Sequence, residues 1–381
     1  MKIADAWITQ PETQAVCRAL TEAGYKAYFV GGCVRNALLR TPVSDLDIST
    51  DAVPEKVIEL ARNAGLKAIP TGIDHGTITV VSGHIPHEIT TFRRDVETDG
   101  RRAVVAFSSH MIDDAKRRDF TMNALYADSA GNISDPLGEG IDDLSARRVR
   151  FIEDPELRIR EDYLRILRFF RFHAWYGDSF GGPDPEALAA IAANLDGIET
   201  LSRERIGAEM RKLLAAPEPA PAVASMRMTG TLARVLEGSD DRALGPLVSI
   251  EHHFHMAHDP MLRLACLGGD GHGLRLSNGE KKRLQLYRDG MASVTGAAEL
   301  GYRHGAEAAI GILALRAAML EQPLAESEVA EAKSAAGREF PVKAADLMPD
   351  YQGPALGARL KQLEAEWIAS GFTSGKDQLL G

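Results

Sequence analysis

Two carboxylates, Asp45 and Asp47, stand two residues apart in Ser44-Asp45-Leu46-Asp47-Ile48, shortly after Gly31-Gly32-Cys33-Val34-Arg35. In an extended segment alternate side chains share a face, so both acids project together while Leu46 and Ile48 pack behind them. Like charges that close repel unless a cation lies between them, and Mg²⁺ takes one or two carboxylates and completes its shell with substrate phosphate oxygens. The pair points to phosphoryl chemistry. Read alone, an Asp-x-Asp string is more often two solvated acids at a strand end, but the preceding glycines shift that balance. Tyr28-Phe29-Val30 reads as a short buried strand, Gly31-Gly32 lets the backbone approach a ligand closely, and Arg35 a turn later can donate to phosphate. No Gly-Lys-Ser/Thr follows, so the loop is not of the Walker type.

Glu88, in His87-Glu88-Ile89-Thr90-Thr91-Phe92, is the candidate third carboxylate if two metals are held. It sits on an expected strand that can neighbour the Asp45 strand, where it can help deprotonate an attacking hydroxyl; otherwise it is a surface strand glutamate. The cluster Arg117-Arg118-Asp119-Phe120-Thr121-Met122-Asn123-Ala124-Leu125 divides evenly between two readings. It is either a capped helix start, or a set in which Arg118 meets phosphate while Asp119 and Asn123 accept from and donate to a ribose hydroxyl.

Further on, Glu161-Asp162-Tyr163-Leu164-Arg165-Ile166-Leu167-Arg168 places Asp162 and Arg165 three apart, as an ordinary intrahelical ion pair would be. The same pair has a sharper use. Arginine only donates and carboxylate only accepts, so side by side they match the edges of cytosine and adenine, while uracil and guanine present N–H where the arginine needs an acceptor. A bidentate match of this kind is worth about 1–3 kcal/mol in discrimination.

These side chains need a frame. Strand signals run over 27–30, 47–49, 76–82, 87–92 and 103–107, with helical patterns at 14–23, 34–39 and 54–64, which predicts an α/β head. Beyond about residue 140 helical spacing dominates. Ile159, Tyr163, Ile166, Leu167, Phe170 and Ala174 form one apolar stripe and predict a single helix from Pro155 to Trp175. Ser202 is placed to cap the next helix, and Leu356, Leu360, Leu363 and Trp367 mark a last amphipathic helix stopped by Gly371. Ala215 to Ala224 reads as a joint between helical blocks.

The 381 residues suffice for two or three domains with real cores. A net charge of −10 argues against indiscriminate coating of nucleic acid but leaves room for a local basic track, densest between Arg147 and Arg171. Cys17, Cys33 and Cys266 are scattered and lack metal-ligand spacing, which fits a reducing compartment and no zinc site. Neither a signal core nor a bilayer-length apolar run is found, so the expectation is a cytoplasmic protein without membrane attachment.

Taken in order, Gly31-Gly32-x-Val34-Arg35, Asp45-x-Asp47, Arg117-Arg118-Asp119-Phe120-Thr121-x-Asn123-Ala124 and Glu161-Asp162-x-x-Arg165-x-x-Arg168 resemble the motifs of class II tRNA nucleotidyltransferases, the bacterial CCA-adding enzymes and their poly(A) polymerase relatives. Asp135-Pro136-Leu137-Gly138 resembles the family's connector and Leu201-Ser202-Arg203-Glu204-Arg205-Ile206 its fifth motif, so the likeness spans at least residues 25 to 215. The resemblance implies a nucleotidyltransferase head related to DNA polymerase beta, followed by an all-α neck, body and tail. Laid on this chain, those are expected at 1–140, 141–215, 216–320 and 321–381.

It also implies Mg²⁺ on Asp45 and Asp47, nucleotide contacts from Gly31, Gly32, Arg35, Arg118, Asp119, Asn123, Arg168 and Arg171, and base selection by Asp162 with Arg165. The implied activity adds C, C and A to tRNA from CTP and ATP. A CC-adding or A-adding specialist, a poly(A) polymerase and an inactive RNA-binding homologue stand as alternatives, the specialists differing in a loop within Arg93 to Arg102. One departure is Asn36, where the family usually carries Asp. Two strings stay outside this scheme. His258-Asp259 resembles the dyad of a metal phosphohydrolase domain but lacks its other ligands and reads as helix packing or surface; Lys281-Lys282-Arg283 is a solvated face or a phosphate contact.

Overall fold

The structure, a computed structural model, describes the backbone of residues 1–99 and 102–381, and their side chains except those of 95–99 and 102–105. The chain divides into two compact units, Met1–Glu237 and Gly238–Gly381.

The first unit opens with a seven-stranded mixed sheet. In chain order its strands are β1 (Tyr28–Val30), β2 (Leu46–Thr50), β3 (Lys67–Gly72), β4 (Thr77–Ser82) and β5 (Ile85–Thr91). A separate hairpin of β6 (Arg93–Asp99) and β7 (Arg102–Phe107) comes next, then β8 (Tyr126–Ala127) and β9 (Ile133–Ser134) close the sheet, whose spatial order is β3-β4-β5-β2-β1-β8-β9. β2 and β5 pair in parallel, with Asp47 opposite Glu88. β1 runs antiparallel to both β2 and β8. Residues 100 and 101, within the segment expected to distinguish specialist enzymes, lie outside the described residues.

Alternation along β2 does what the sequence requires of it: Leu46 and Ile48 are buried while Asp47 between them is only half-buried. Helices Pro11–Thr21 and Pro54–Asn63 each begin with proline, whose fixed φ suits the first helical turn, and bury Val16, Cys17, Leu20, Val57 and Ala61. Gly31 turns the chain from β1 into helix Gly32–Leu38 at φ 71°, a left-handed conformation that favours glycine. Strands were expected at β1, β2, β4, β5 and β7 within one or two residues; β3, β6, β8 and β9 were not.

Past Ser134 the regular elements of this unit are helices. The helix expected from Pro155 to Trp175 is two helices, Pro155–Glu161 and Leu164–Tyr176. Asp162 breaks it in extended conformation (φ −154°, ψ 104°), and its Oδ1 accepts the Leu164 N–H at 3.1 Å. A short carboxylate that satisfies a free N–H at a helix start competes with continued helix, and an apolar stripe cannot register that competition. Tyr163 in the break lies against Gly197, where an added Cβ would come within 2.0 Å of the ring. Ser202 caps helix Arg203–Leu214, as expected, by accepting from Arg205 N–H.

The second unit is helical. Asp259 heads helix Pro260–Leu267 with Oδ1 on the Met261 N–H, and its Oδ2 accepts from Tyr287 Oη and Arg283 Nε, each at 2.6 Å. These contacts use Asp259 in helix capping and packing. The Glu251 and Arg263 side chains form an ion pair with no exposure at all. Near the C-terminus, helix Gly353–Ala369 buries Leu363 and Trp367 against Phe372, and Gly371 follows at φ 69°. No helix among the described residues is long and apolar enough to cross a membrane.

Candidate active site

Asp45 is exposed on the approach to β2, where Ser44 Oγ donates to its Oδ2 at 2.9 Å. Asp47 follows two residues on and faces Glu88, exposed on the neighbouring β5. Burial and the Glu88 charge, with a smaller push from Asp45, raise the Asp47 carboxyl to about 6 in spite of the Arg118 guanidinium pulling it down. Burial is the larger cause and repulsion from the acid on the neighbouring strand the next, and a cation shared by those oxygens would offset both. Among the described residues no group of three or more acidic, His or Cys side chains forms a ready-made metal cage. The donor set is instead two hard carboxylates with room for other oxygens, which suits a divalent ion that also takes phosphate.

Arg118 is near enough to Asp47 for its charge to lower that carboxyl. Its Nη2 donates to Asp114 Oδ2 at 3.0 Å and to Ser49 Oγ at 3.3 Å, its Nε to Tyr126 Oη at 3.3 Å, and its Nη1 would lie 3.3 Å from a Cβ placed on Gly31. Burial opposes its charge, but Asp114 holds the guanidinium protonated beyond its ordinary range. Asp114, fully buried, also accepts from Arg117, Tyr126 and Ser49. Burial alone would raise this carboxyl; Arg118 and Arg117 keep it well below the usual carboxylate range. Asp114 was not anticipated from the sequence, although an acid three and four residues before two arginines is a legible helical ladder.

A second network runs from the sheet to helix Leu164–Tyr176. Arg35 Nη1 donates to Asn123 Oδ1 at 2.5 Å, Asn123 Nδ2 to Asp119 Oδ1 at 2.9 Å, and Arg168 Nε to Asp119 Oδ2 at 2.8 Å. Arg35 Nη2 also donates to Tyr176 Oη and to Asn36 Oδ1, both at 2.9 Å, while Asn36 Nδ2 donates to Pro42 O. Asn36 thus accepts and donates at once, which a charged carboxylate cannot do. Asp119 is kept well below the usual range by Arg168 against the cost of burial, and burial pulls Arg35 down because its hydrogen-bonding partners are neutral.

Three guanidiniums converge on Phe172: Arg35 at 5.0 Å from the ring centroid, Arg168 at 5.4 Å and Arg171 at 4.5 Å. Arg35 also lies 4.0 Å from the Tyr176 ring centre. Each such contact contributes about 0.5–2 kcal/mol. Arg171 Nε donates to Glu209 Oε2 at 2.6 Å. Phe172, Tyr176 and Glu209 were not anticipated; aromatic residues four apart on a helix carry no chemistry until the fold brings the arginines to them.

Asp162 and Arg165 are not paired with each other. Asp162 Oδ2 accepts from Arg205 Nη2 at 2.6 Å, while Arg165 pairs with Glu161 and donates to the Arg158 and Arg117 carbonyls. The helix break causes this, because Asp162 leaves the helical face that Arg165 occupies.

The chain matches two family models: the poly A polymerase head domain over residues 27–150, and a probable RNA and SrmB-binding site of polymerase A over 183–241. It is 40% identical over 216 residues to the human mitochondrial CCA tRNA nucleotidyltransferase 1, covering 54% of this chain and 50% of that protein. It is 42% identical over 210 residues to the CCA-adding enzyme of Oceanobacillus iheyensis, with the same coverage. The chain thus spans about half the length of the curated relatives it matches. The Bacillus stearothermophilus CCA-adding enzyme, solved with CTP, superposes with TM-score 0.74 at 28% identity over 95% of this chain and 94% of that one. A Thermotoga maritima CCA-adding enzyme solved with tRNA shares the fold at TM-score 0.71 and 16% identity, covering 99% and 95%.

Proposed function

We propose, from the chain's membership of the class II CCA-adding tRNA nucleotidyltransferase and poly(A) polymerase head family, that it adds C, C and A to tRNA 3′ ends from CTP and ATP, releasing pyrophosphate without a nucleic-acid template. The observation that carries this is the Asp45, Asp47 and Glu88 arrangement, with Asp47 raised to about 6 by its burial and its acidic neighbours beside the anchored Arg118.

Families with this head use a divalent metal. Asp45 and Asp47 would hold Mg²⁺, which supplies charge neutralisation for the triphosphate and for the departing pyrophosphate. Glu88, in register with Asp47, accepts the proton of the tRNA 3′-hydroxyl as that oxygen attacks the α-phosphorus. Arg118, fixed by Asp114, Ser49 and Tyr126, presents Nη1 beside Gly31 and steadies the triphosphate; Gly31 and Gly32 allow the close approach. Arg35, whose hydrogen-bonding partners are neutral, keeps its charge for the same anion.

Asp119 and Asn123 set the Arg35 and Arg168 guanidiniums and lie on the ribose side of the nucleotide. Arg168 and Arg171 complete the cationic shelf around Phe172. Asp162 and Arg165 select the base; each exchanges a present partner, Arg205 or Glu161, for the edge of C or A. The helical remainder serves tRNA, in the division 1–140 head, 141–215 neck, 216–320 body and 321–381 tail, and the protein works in the cytoplasm.

Incubating tRNA shortened by one, two or three 3′ nucleotides with single labelled nucleotides tests the reading. Stepwise restoration of CCA supports it. Arrest after two cytidines, addition of adenosine alone, or a long adenosine tract instead identifies a specialist or a poly(A) polymerase.

A further inference from the structure

Arg35 is 6% exposed, yet among the described residues no carboxylate hydrogen-bonds to it. Asn36 Oδ1 accepts from Nε at 3.2 Å and from Nη2 at 2.9 Å, Asn123 Oδ1 from Nη1 at 2.5 Å, and Tyr176 Oη from Nη2 at 2.9 Å. A guanidinium carries five N–H groups, so these four bonds leave one Nη1 N–H without an acceptor among the described residues. Asp119 favours the charge only from a distance, because its oxygens are taken by Asn123, Arg168 and the Phe120 N–H. Burying a cation among neutral acceptors costs free energy, and a guanidinium so placed favours an incoming anion.

Tyr176 holds this guanidinium in two ways. Its Oη accepts from Nη2, and its ring centre lies 4.0 Å from Cζ, so both the position and the plane of the group are set. The ring is itself fixed. Phe172, one helical turn earlier, stands 5.5 Å from it between ring centres and rests on Phe120 at 4.9 Å. Gly177 closes helix Leu164–Tyr176 directly after the tyrosine, and a Cβ on it would come within 2.2 Å of His173 Nδ1 and 2.6 Å of the His173 carbonyl oxygen. A side chain at 177 would therefore push the last turn, and Tyr176 with it, out of place. A carboxylate at position 176 would bond the same N–H but cancel the charge, whereas a phenol orients the arginine and leaves its charge for a ligand.

We propose that Tyr176 is a positioning residue for triphosphate binding, acting through Arg35, whose remaining Nη1 N–H and uncancelled charge are spent on the nucleotide's phosphates. This rests on the reading above in which Arg35 meets the triphosphate, and it adds a residue outside the motifs that carry the family likeness. CTP and ATP are served alike, because the phosphates are what they share.

Equilibrium binding to the full chain, with Mg²⁺ present and tRNA absent, tests this with CTP, ATP, pyrophosphate and cytidine as probes. Tyr176→Phe keeps the ring and removes the acceptor. It is expected to weaken CTP, ATP and pyrophosphate by about fivefold each and cytidine by less than about twofold. Arg35→Met removes the group through which Tyr176 acts, and in that background Tyr176→Phe should change CTP affinity by less than about twofold. Urea unfolding checks that each variant is folded; if Arg35→Met is not, Arg35→Lys, which keeps the charge and loses the fork, takes its place. An equal loss on cytidine, no loss on CTP, or the full loss persisting in the Arg35 variant overturns the proposal. The Arg35 variant alone separates the two layers. If it weakens CTP while Tyr176→Phe does not, only the positioning role falls; if it leaves CTP binding unchanged, the placement of Arg35 on the triphosphate falls too.

Discussion

Asp47 on β2 and Glu88 on β5 are register partners across the parallel strand pair, and the Glu88 charge adds to burial in raising the cost of ionising Asp47. No packing requirement explains that opposition, since Asp47 stands on the face away from the buried Leu46 and Ile48.

That opposition makes stability depend on pH. The folded Asp47 carboxyl sits at about 6, above the ordinary value near 3.9, so its stabilising contribution is complete below the ordinary value and is lost as pH rises through about 6. In chelator, Asp47→Asn should therefore gain stability over the native chain between these limits, by on the order of 3 kcal/mol at the plateau. Urea unfolding across pH checks this, and parallel profiles for the two proteins would contradict it. Adding Mg²⁺ above the upper limit should raise the melting temperature of the native chain more than that of Asp47→Asn.

Asp45→Ala or Asp47→Ala should abolish nucleotide incorporation while leaving tRNA affinity broadly intact. Filter binding beside single-turnover kinetics separates the two effects; near-native turnover would remove both acids from the metal assignment.

Asp162→Ala should relax nucleotide choice by roughly 10- to 100-fold, the equivalent of about 1–3 kcal/mol for a lost bidentate match. It also removes the cap on Leu164 N–H and the Arg205 ion pair, so its unfolding midpoint is measured alongside. Unchanged rejection of UTP in a folded variant would count against a protein template.

Asp114→Ala leaves Arg117 and Arg118 without their shared buried counter-charge and should cost about 3–5 kcal/mol, read by urea unfolding. A loss under about 1 kcal/mol would mean the two arginines find water or another acceptor instead.

Much of the head was legible because short strands with buried alternate residues and proline-started helices carry local signals. β3 did not stand out, since Lys67-Ala68-Ile69-Pro70-Thr71-Gly72 buries no residue and contains both proline and glycine. β8 and β9, two residues each, are strands only because neighbours pair with them. Asp45, Asp47 and Glu88 could be named from type and spacing, as could the polar residues of the Arg117–Asn123 string. What spacing did not reveal was partnership. Asp119 and Asn123 look like free ribose contacts in the sequence but are joined to Arg168 and Arg35, and Asp162 looks like the helical mate of Arg165 but begins a new helix and turns to Arg205. Those pairings join residues 40 to 90 positions apart, a distance over which local periodicity carries no information.

The most direct measurement supplies Mg²⁺, CTP and ATP to a tRNA transcript that ends before its CCA, with products resolved on a sequencing gel. The expected product is longer by three nucleotides and grows no further, with UTP and GTP not incorporated. A transcript that stays at its starting length, or one that grows into an adenosine tract, would contradict it.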